Sequence, residues 1–279
     1  MDKVHIERNT VQETLIIPLY GRKLCSDAFP GLYEDPYAAE ICDRLDYDFS
    51  DLDKKAGCIS FRFGALEAAT RQIGMAAEVR DYLSAHPAAT VVNLGCGLDQ
   101  TGRACTGERS EGQVLNVDLP DVIAVRDELA PAGPRERNLA CDLNSLTWLD
   151  EVDAESGAVL FAAGVFHYFT REQVHAIVHA VGERLPGCRL VFDTVGKILM
   201  SLALGATLKS MDIRGVDGPF YLNDPERELA AWEPGARVQS RGYLLGYTDL
   251  RTPGVAPVMR IAARICDGPL RMRINRMDF

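Results

Sequence analysis

The most informative segment of this 279-residue chain is VVNLGCGLD, residues 91–99. It predicts a buried apolar strand that runs into Gly-x-Gly and then into a helix. Gly95 and Gly97 let the backbone turn sharply and approach a ligand closely, because neither has a Cβ. Gln100 stands where a dinucleotide-binding loop has its third glycine, so the segment disfavours a nicotinamide-dependent oxidoreductase.

Apolar runs alternate with helical patterns from residue 90 onward. This alternation predicts an α/β, Rossmann-like fold with a mostly parallel sheet covered by helices on both faces. The predicted strands are residues 90–94, 113–117, 158–163, 189–194, 238–245 and 270–277, with a further strand ending before Cys141. The predicted helices are residues 121–130, 171–184 (capped by Thr170), 197–210, 225–232 and 256–265, and residues 214–225 are predicted to be a loop.

The first 86 residues have a different pattern, of helices and loops. Asp35-Pro36 is a typical helix start, and residues 65–85 have helical apolar spacing up to His86-Pro87. The sequence therefore predicts an N-terminal helical cap over residues 1–86, followed by the sheet domain at residues 87–279.

Composition excludes several classes of protein. Hydrophobic residues make up 47% of the chain, which is enough for a core of its own, and the net charge is −10. Only residues 241–279 are basic, with 7 Lys/Arg against 3 Asp/Glu, and most of these arginines alternate with apolar residues as on the exposed face of a strand. We therefore expect no nucleic-acid partner. No apolar run is long enough to span a membrane.

The eight cysteines lack the close spacing of zinc ligands, so we expect reduced thiols and no metal site. The charged N-terminal residues include no apolar signal region, which favours a cytoplasmic protein. An oligomer is possible, but no feature of the sequence indicates one.

Two acidic residues follow predicted strands of the same sheet. Asp118 comes 21 residues after Gly97 and is placed to accept hydrogen bonds from both hydroxyls of a ribose. Asp142, in the triplet Cys141-Asp142-Leu143, is placed to accept one from an adenine amino group. Together with the incomplete dinucleotide loop, these residues favour an adenosine ligand without a pyrophosphate, of which S-adenosyl-L-methionine is the commonest.

At the level of motifs, the chain resembles the leucine carboxyl methyltransferase superfamily, within it the bacterial branch that includes the tetracenomycin polyketide O-methyltransferase. The matching segments are VVNLGCGLD, NVDLPDV at residues 116–122, the CDL triplet and AAGVFHYF at residues 162–169. The resemblance covers roughly residues 10–200. It implies a class I methyltransferase with a seven-stranded sheet, S-adenosyl-L-methionine as cofactor and N-terminal helices that close over it.

The resemblance also implies roles for individual residues. Arg71 would hold the methionine carboxylate, through a charge-assisted contact. The glycine turn, with Gly95, Cys96 and Gly97, would hold the methionine and ribose portion, Asp118 the ribose diol, and Asp142 with Leu143 the adenine. Three positions depart from the family: Ala163 replaces a glutamate that contacts the amino group of the cofactor, Gln72 replaces a threonine, and Gly74 lies near the usual aspartate.

Methyl transfer is an in-line displacement that depends mainly on orientation, although a base assists a hydroxyl acceptor. His167, just beyond the fourth strand, is the candidate base; the alternative is a structural hydrogen bond. Its neighbour Tyr168 is a candidate contact for the acceptor; the alternative is core packing. The reaction expected is therefore transfer to a hydroxyl or carboxylate of a small molecule, such as a polyketide-like metabolite.

Other readings stay open from the sequence alone. Asp99 is expected to cap the helix after the turn, and His175 with His179 to lie on an exposed helix face rather than bind metal. Asp193 either lines the crevice or caps a loop. Aromatic residues of the N-terminal region line an acceptor pocket or pack in the core: Tyr20, Phe61 and Phe63. The rival functions are a cofactor-binding protein without catalysis, which the alanine at 163 favours, and a methyltransferase for a protein C-terminal carboxylate.

Overall fold

The computed structural model describes residues 3–6, 14–107, 111–201 and 219–279. Its strands are β1 (Val4–His5), β2 (Leu45–Asp46), β3 (Thr90–Leu94), β4 (Val114–Asp118), β5 (Glu136–Ala140), β6 (Ala158–Ala162), β7 (Arg189–Thr194), β8 (Arg237–Gly242) and β9 (Arg273–Asp278). Its helices are α1 (Ile16–Ala28), α2 (Pro36–Arg44), α3 (Ser50–Lys55), α4 (Ile59–Ala85), α5 (Thr101–Thr106), α6 (Pro120–Leu129), α7 (Arg171–Arg184), α8 (Lys197–Leu199), α9 (Pro225–Trp232) and α10 (Pro257–Asp267).

Within the described residues, seven strands form one sheet in the order β5-β4-β3-β6-β7-β9-β8. The strands from β5 to β7 pair in parallel, and β9 runs antiparallel to both of its neighbours. The order of the strands reverses between β3 and β6, and ligands of open α/β sheets bind in the crevice beyond the carboxyl ends at such a point. The predicted fold class is confirmed.

Alternation along the strands produces a hydrophobic core on each face of the sheet. Val91 and Phe161 face one core, together with Met75 and Val79 of α4. Val92, Leu94 and Leu160 face the other core, which α7 covers with Val174 and Ile177. Because neighbouring positions point to opposite faces, strands that are apolar throughout need helices on both sides.

The long helix α4 begins earlier than the pattern predicted. It starts at Ile59 instead of residue 65 and continues through Gly64, an exposed position where a glycine costs only about 1 kcal/mol relative to alanine. The helix packs on α1 and α5 and crosses the sheet over β6, β7 and β9. It thus links the N-terminal helices to the sheet, and the domain boundary at residue 86 stays a prediction.

Strand limits near the C-terminus also differ from the predicted ones. The strand predicted at 238–245 ends at Gly242, because the N–H groups of Leu244 and Leu245 donate to the Asp267 carboxylate instead of a neighbouring strand. The strand predicted at 270–277 starts only at Arg273, because Arg271 has a φ of 54°, in the left-handed region. The remaining predicted strands agree within one residue.

Part of one predicted helix and of one predicted loop lies outside the described residues. Of the helix predicted at 197–210, the structure describes residues 197–201, which begin with α8, and of the loop at 214–225 it describes 219–225, where α9 starts at Pro225. In the part of the chain that is described, no helix is both long and apolar enough to cross a membrane. All eight cysteines are free thiols.

Candidate functional site

A cavity of about 450 Å³ opens at the carboxyl ends of β3, β4 and β6 and beside the turn that follows β5. This is the size and position expected of a small-molecule site in such a fold. Nine of the ten catalytic and cofactor-binding candidates line it together: Arg71, Gly95, Cys96, Gly97, Asp118, Asp142, Leu143, Ala163 and Tyr168. The candidate base His167 is not among the lining residues.

The glycine turn at the end of β3 has the left-handed backbone expected from its sequence. Gly95 and Gly97 have φ angles of +62° and +45°. A Cβ on Gly95 would lie 2.5 Å from a methyl group of Val165, so no larger residue fits there. Cys96, between them, is buried, and burial raises the pKa of its thiol. This turn therefore offers the cavity backbone groups and no charged side chain.

Asp118 links the end of β4 to this turn. Its Oδ2 accepts a hydrogen bond of 2.7 Å from the Gly97 N–H, and its Oδ1 accepts one of 2.8 Å from Leu119. Burial raises the pKa of the Asp118 carboxyl, which these two N–H donors oppose. Each carboxylate oxygen can accept a second hydrogen bond, so Asp118 can still bind hydroxyl groups in the cavity.

The turn after β5 forms another part of the cavity wall. Asp142 caps a short 3₁₀ turn, and its Oδ1 accepts from the Asn144 N–H at 2.9 Å. Leu143 is buried, and its carbonyl accepts a hydrogen bond of 3.1 Å from the indole of Trp148. The Asp142 side chain itself is exposed to the cavity edge, where a polar edge of a ring system can reach it.

Arg71 extends from α4 into the same cavity. Its side chain is 15% exposed, and Nη1 lies 3.8 Å from the buried carboxylate of Asp193. Burial lowers the pKa of Arg71, but Tyr243 and Asp193 outweigh it and hold that pKa above its ordinary value. Its Nε is buried without a hydrogen-bond partner among the described residues. This guanidinium is therefore the positive charge that α4 contributes to the cavity.

His167 and Tyr168 are adjacent in sequence but have different surroundings. The His167 side chain is buried, and its Nε2 lies 3.1 Å from Oδ2 of Asp193. Tyr168 is 40% exposed and lines the cavity. Of the two roles open for His167, this geometry favours the structural hydrogen bond over the base, and it leaves Tyr168 facing the cavity.

Of the two roles left open for Asp193, the structure favours the capping of a loop over the lining of the crevice. It is buried and does not line the cavity, and its Oδ1 accepts from the Gly164 N–H at 2.6 Å. Asp99 does hold the start of α5, since its Oδ1 accepts from the Thr101 N–H at 3.0 Å. It also lines the cavity.

The remaining candidates lie away from the cavity lining. His175 and His179 are exposed on α7, and His179 pairs with Glu233 at 2.8 Å. Within the described ranges, no group of side chains could hold a metal ion. Tyr20 donates to Asp53 and packs beside Phe61, and Phe63 packs against the core, so this aromatic group serves packing.

Two buried arginines of the site region were missed by the sequence analysis. Arg22 of α1 lines the cavity and donates to Asp35 and to the Leu98 carbonyl. Arg126 of α6 donates through Nη1 to the Gly97 and Asp99 carbonyls, both at 2.8 Å, and so stabilises the glycine turn. In the sequence, both arginines are marked by one pattern, a charged residue on an otherwise apolar helix face, which indicates a buried charge.

The sheet order and the cavity at its switch point define a class I methyltransferase. Comparison with known families gives the same class, and the chain belongs to the leucine carboxyl methyltransferase family, whose sequence profile matches residues 20–182. It is thus an enzyme of the methyltransferase class, with S-adenosyl-L-methionine as its cofactor. The predicted family, enzyme class and cofactor are confirmed.

Individual relatives share less than 30% sequence identity with this chain. The chain is 28% identical to the tetracenomycin polyketide synthesis O-methyltransferase TcmP of Streptomyces glaucescens over 239 residues, which cover 84% of this chain and 83% of that protein. A crystal structure from Thermobifida fusca YX shares the fold with a TM-score of 0.60 at 15% identity, covering 87% of this chain and 92% of the other. The plantazolicin methyltransferase BamL, solved with SAH, has a TM-score of 0.51 at 13% identity and covers 96% and 98%.

Proposed function

We propose that this enzyme transfers a methyl group from S-adenosyl-L-methionine to a hydroxyl or carboxylate oxygen of a small molecule, such as a polyketide-like metabolite. The observation that carries the proposal is that one cavity brings together the charged guanidinium of Arg71 and two carboxylates, Asp118 and Asp142, at the carboxyl ends of neighbouring strands. The name of the relative TcmP supports oxygen as the acceptor atom and a polyketide as the kind of acceptor.

The cavity residues fit the chemical groups of this cofactor one by one. The guanidinium of Arg71 suits the methionine carboxylate, and Asp118 suits the ribose hydroxyls. The turn at Asp142 and Leu143 suits the adenine. Ala163 lines the cavity but its side chain cannot accept a hydrogen bond, so the cofactor's amino group needs another acceptor. We assign this role to Asp99, a carboxylate that also lines the cavity.

The bound cofactor supplies a methyl group on a positively charged sulfur, which departs as a neutral thioether. The chain's own part is to orient the acceptor oxygen in line with that methyl group and to exclude water. Tyr168 faces the cavity, and loss of solvent around its hydroxyl raises its pKa, so the hydroxyl keeps its proton and orients the acceptor by a hydrogen bond. A hydroxyl acceptor loses its proton to solvent or to a base, whereas a carboxylate acceptor has none to lose.

Calorimetry tests the cofactor assignment, with S-adenosyl-L-methionine, S-adenosylhomocysteine and NAD as ligands. We expect binding of the first two and none of NAD. A labelled-methyl screen over phenols, small carboxylic acids and a C-terminal peptide carboxylate then tests the acceptor. Transfer to the peptide alone would contradict the small-molecule proposal, and binding without transfer to any acceptor class would favour a protein that has lost catalysis.

A further inference from the structure

We propose that Asp193 is a positioning residue for the methionine end of the cofactor, which it controls through Arg71 and Gly164. The inference rests on the proposed function, because it takes Arg71 as the group that binds the methionine carboxylate. Asp193 itself is 1% exposed and does not line the cavity, so any effect it has on a ligand must pass through its neighbours.

Every polar neighbour that the structure gives this carboxylate is a donor. Oδ1 accepts from the Gly164 N–H at 2.6 Å, and Oδ2 lies 3.1 Å from His167 Nε2 and 3.8 Å from Arg71 Nη1. Because a carboxylate only accepts, the His167 nitrogen facing it bears the proton. Burial raises the pKa of Asp193, but His167, Arg71 and the Gly164 N–H together bring it below its ordinary value.

Gly164 brings the backbone directly against the guanidinium of Arg71. Its φ is +74°, and a Cβ built on it would lie 2.3 Å from Nη1 of Arg71. Arg71 therefore lies over a bare Cα, whose position is set by the hydrogen bond from Gly164 to Asp193. One buried carboxylate thus holds both the cation and the backbone turn on which that cation rests.

His167, which does not line the cavity, completes this arrangement. It follows Gly164 by three residues, in the 3₁₀ turn Phe166–Tyr168, and its Nε2 keeps the second oxygen of Asp193 in place. In this role His167 needs to be a hydrogen-bond donor and not a base. Its adjacent residue Tyr168 then lines the cavity because the turn is fixed by the same carboxylate.

The variant D193N tests this inference, since an amide has only one accepting oxygen for three donors. The two ligands are S-adenosylhomocysteine and 5′-methylthioadenosine, which lacks the amino acid portion. We expect D193N to weaken binding of S-adenosylhomocysteine about 10- to 100-fold, the scale of one hydrogen bond to a charged group. Binding of methylthioadenosine should change by less than about threefold, because Asp118 and Asp142 are untouched.

A matched control is E78Q, which alters another buried carboxylate, seven residues after Arg71 on α4. Glu78 pairs with Arg189 and Arg276 and does not line the cavity. We expect E78Q to lower stability without changing the ratio of the two affinities. In an R71A background, D193N should cause no further loss of S-adenosylhomocysteine binding, because its effect passes through Arg71.

If D193N does not fold, G164A provides a second test, because its Cβ displaces Arg71 while Asp193 stays in place. It should show the same selective loss. Equal weakening of both ligands by D193N, or no weakening of either, would overturn the role of Asp193, and the same result for G164A would overturn the route through Gly164 and Arg71 by which Asp193 is proposed to act. If the unaltered enzyme itself did not bind S-adenosylhomocysteine, the proposed function would fail as well, which is a distinct result.

Discussion

The Asp118 carboxylate accepts a hydrogen bond of 2.7 Å from the backbone N–H of Gly97, across 21 residues of sequence. Asp118 ends β4, and Gly97 lies in the turn that follows the neighbouring parallel strand β3, with which β4 pairs directly. One side chain therefore stabilises the glycine turn and faces the cavity beside it. Loss of this carboxylate should affect the ligand and the turn together.

We expect D118A to weaken binding of S-adenosylhomocysteine by about 1–3 kcal/mol, because charge-assisted hydrogen bonds to the ribose are lost. Calorimetry measures the change. E128A is the control, since Glu128 is an exposed carboxylate on the following helix and should leave affinity unchanged. Equal affinity for D118A and the unaltered protein would refute the placement of the ribose.

The packing of Gly95 against Val165 predicts a stability effect. G95A should lower the free energy of unfolding by at least about 2 kcal/mol, from backbone strain and overlap with the valine. Urea denaturation measures it. Gly187 also has a positive φ, of +81°, but nothing lies within 4 Å of a Cβ built there, so G187A should show the strain alone. A second change, V165A, should recover part of the loss in G95A.

The pairing of His167 with Asp193 predicts that H167Q keeps most of its turnover, since glutamine can still donate to the carboxylate. The test is kcat with an acceptor found in the screen, and we expect a change of no more than about threefold. Removal of a general base would cost about 10²–10⁴-fold. A loss of that size in H167Q, with cofactor affinity intact, would restore histidine as the base.

Glu136 at the far edge of the sheet predicts a pH dependence of stability. It is buried with Arg103 and Asn116 as partners, and although burial alone raises its pKa, these partners bring the pKa below its ordinary value. A glutamate ionises at about 4.3 when unfolded. A lowered folded pKa adds stability that is fully present above that pH and is lost as pH falls through the folded pKa.

Urea denaturation at pH 7 and at about pH 3 measures this contribution of Glu136. E136Q should be less stable than the unaltered protein at pH 7, and the difference between them should shrink at acidic pH. The ion pair between Arg137 and Glu151 is exposed, so E151Q should differ little in stability from the unaltered protein at either pH. A gap between E136Q and the unaltered protein that stays constant would show that Glu136 does not titrate in this way.

The parts of the site that the sequence predicted are those with a local pattern. Gly95 and Gly97 follow an apolar strand directly, and Asp118 ends the next strand, so their meeting follows from the geometry of a parallel sheet. The start of α7 is equally local, and Thr170 with Gln173 forms the capping box there.

The parts that could not be predicted depend on contacts between distant segments. Arg22 reaches the cavity because α1 packs on α4, and no pattern around residue 22 states which helix will be its neighbour. His167 is buried beside Asp193, which lies 26 residues later in the sequence, on β7. The predicted strand limits were wrong where a side chain accepts hydrogen bonds from backbone N–H groups that would otherwise pair with a neighbouring strand, as Asp267 does.

The free thiol of Cys96 has a consequence for an enzyme that handles a reactive methyl donor. A thiolate is a strong nucleophile, whereas a protonated thiol is a poor one. Burial raises the pKa of this thiol and so favours its protonated form, although its residue belongs to the wall of the cavity. We therefore expect the Cys96 thiol to react slowly with the methyl donor, which is then kept for the acceptor molecule.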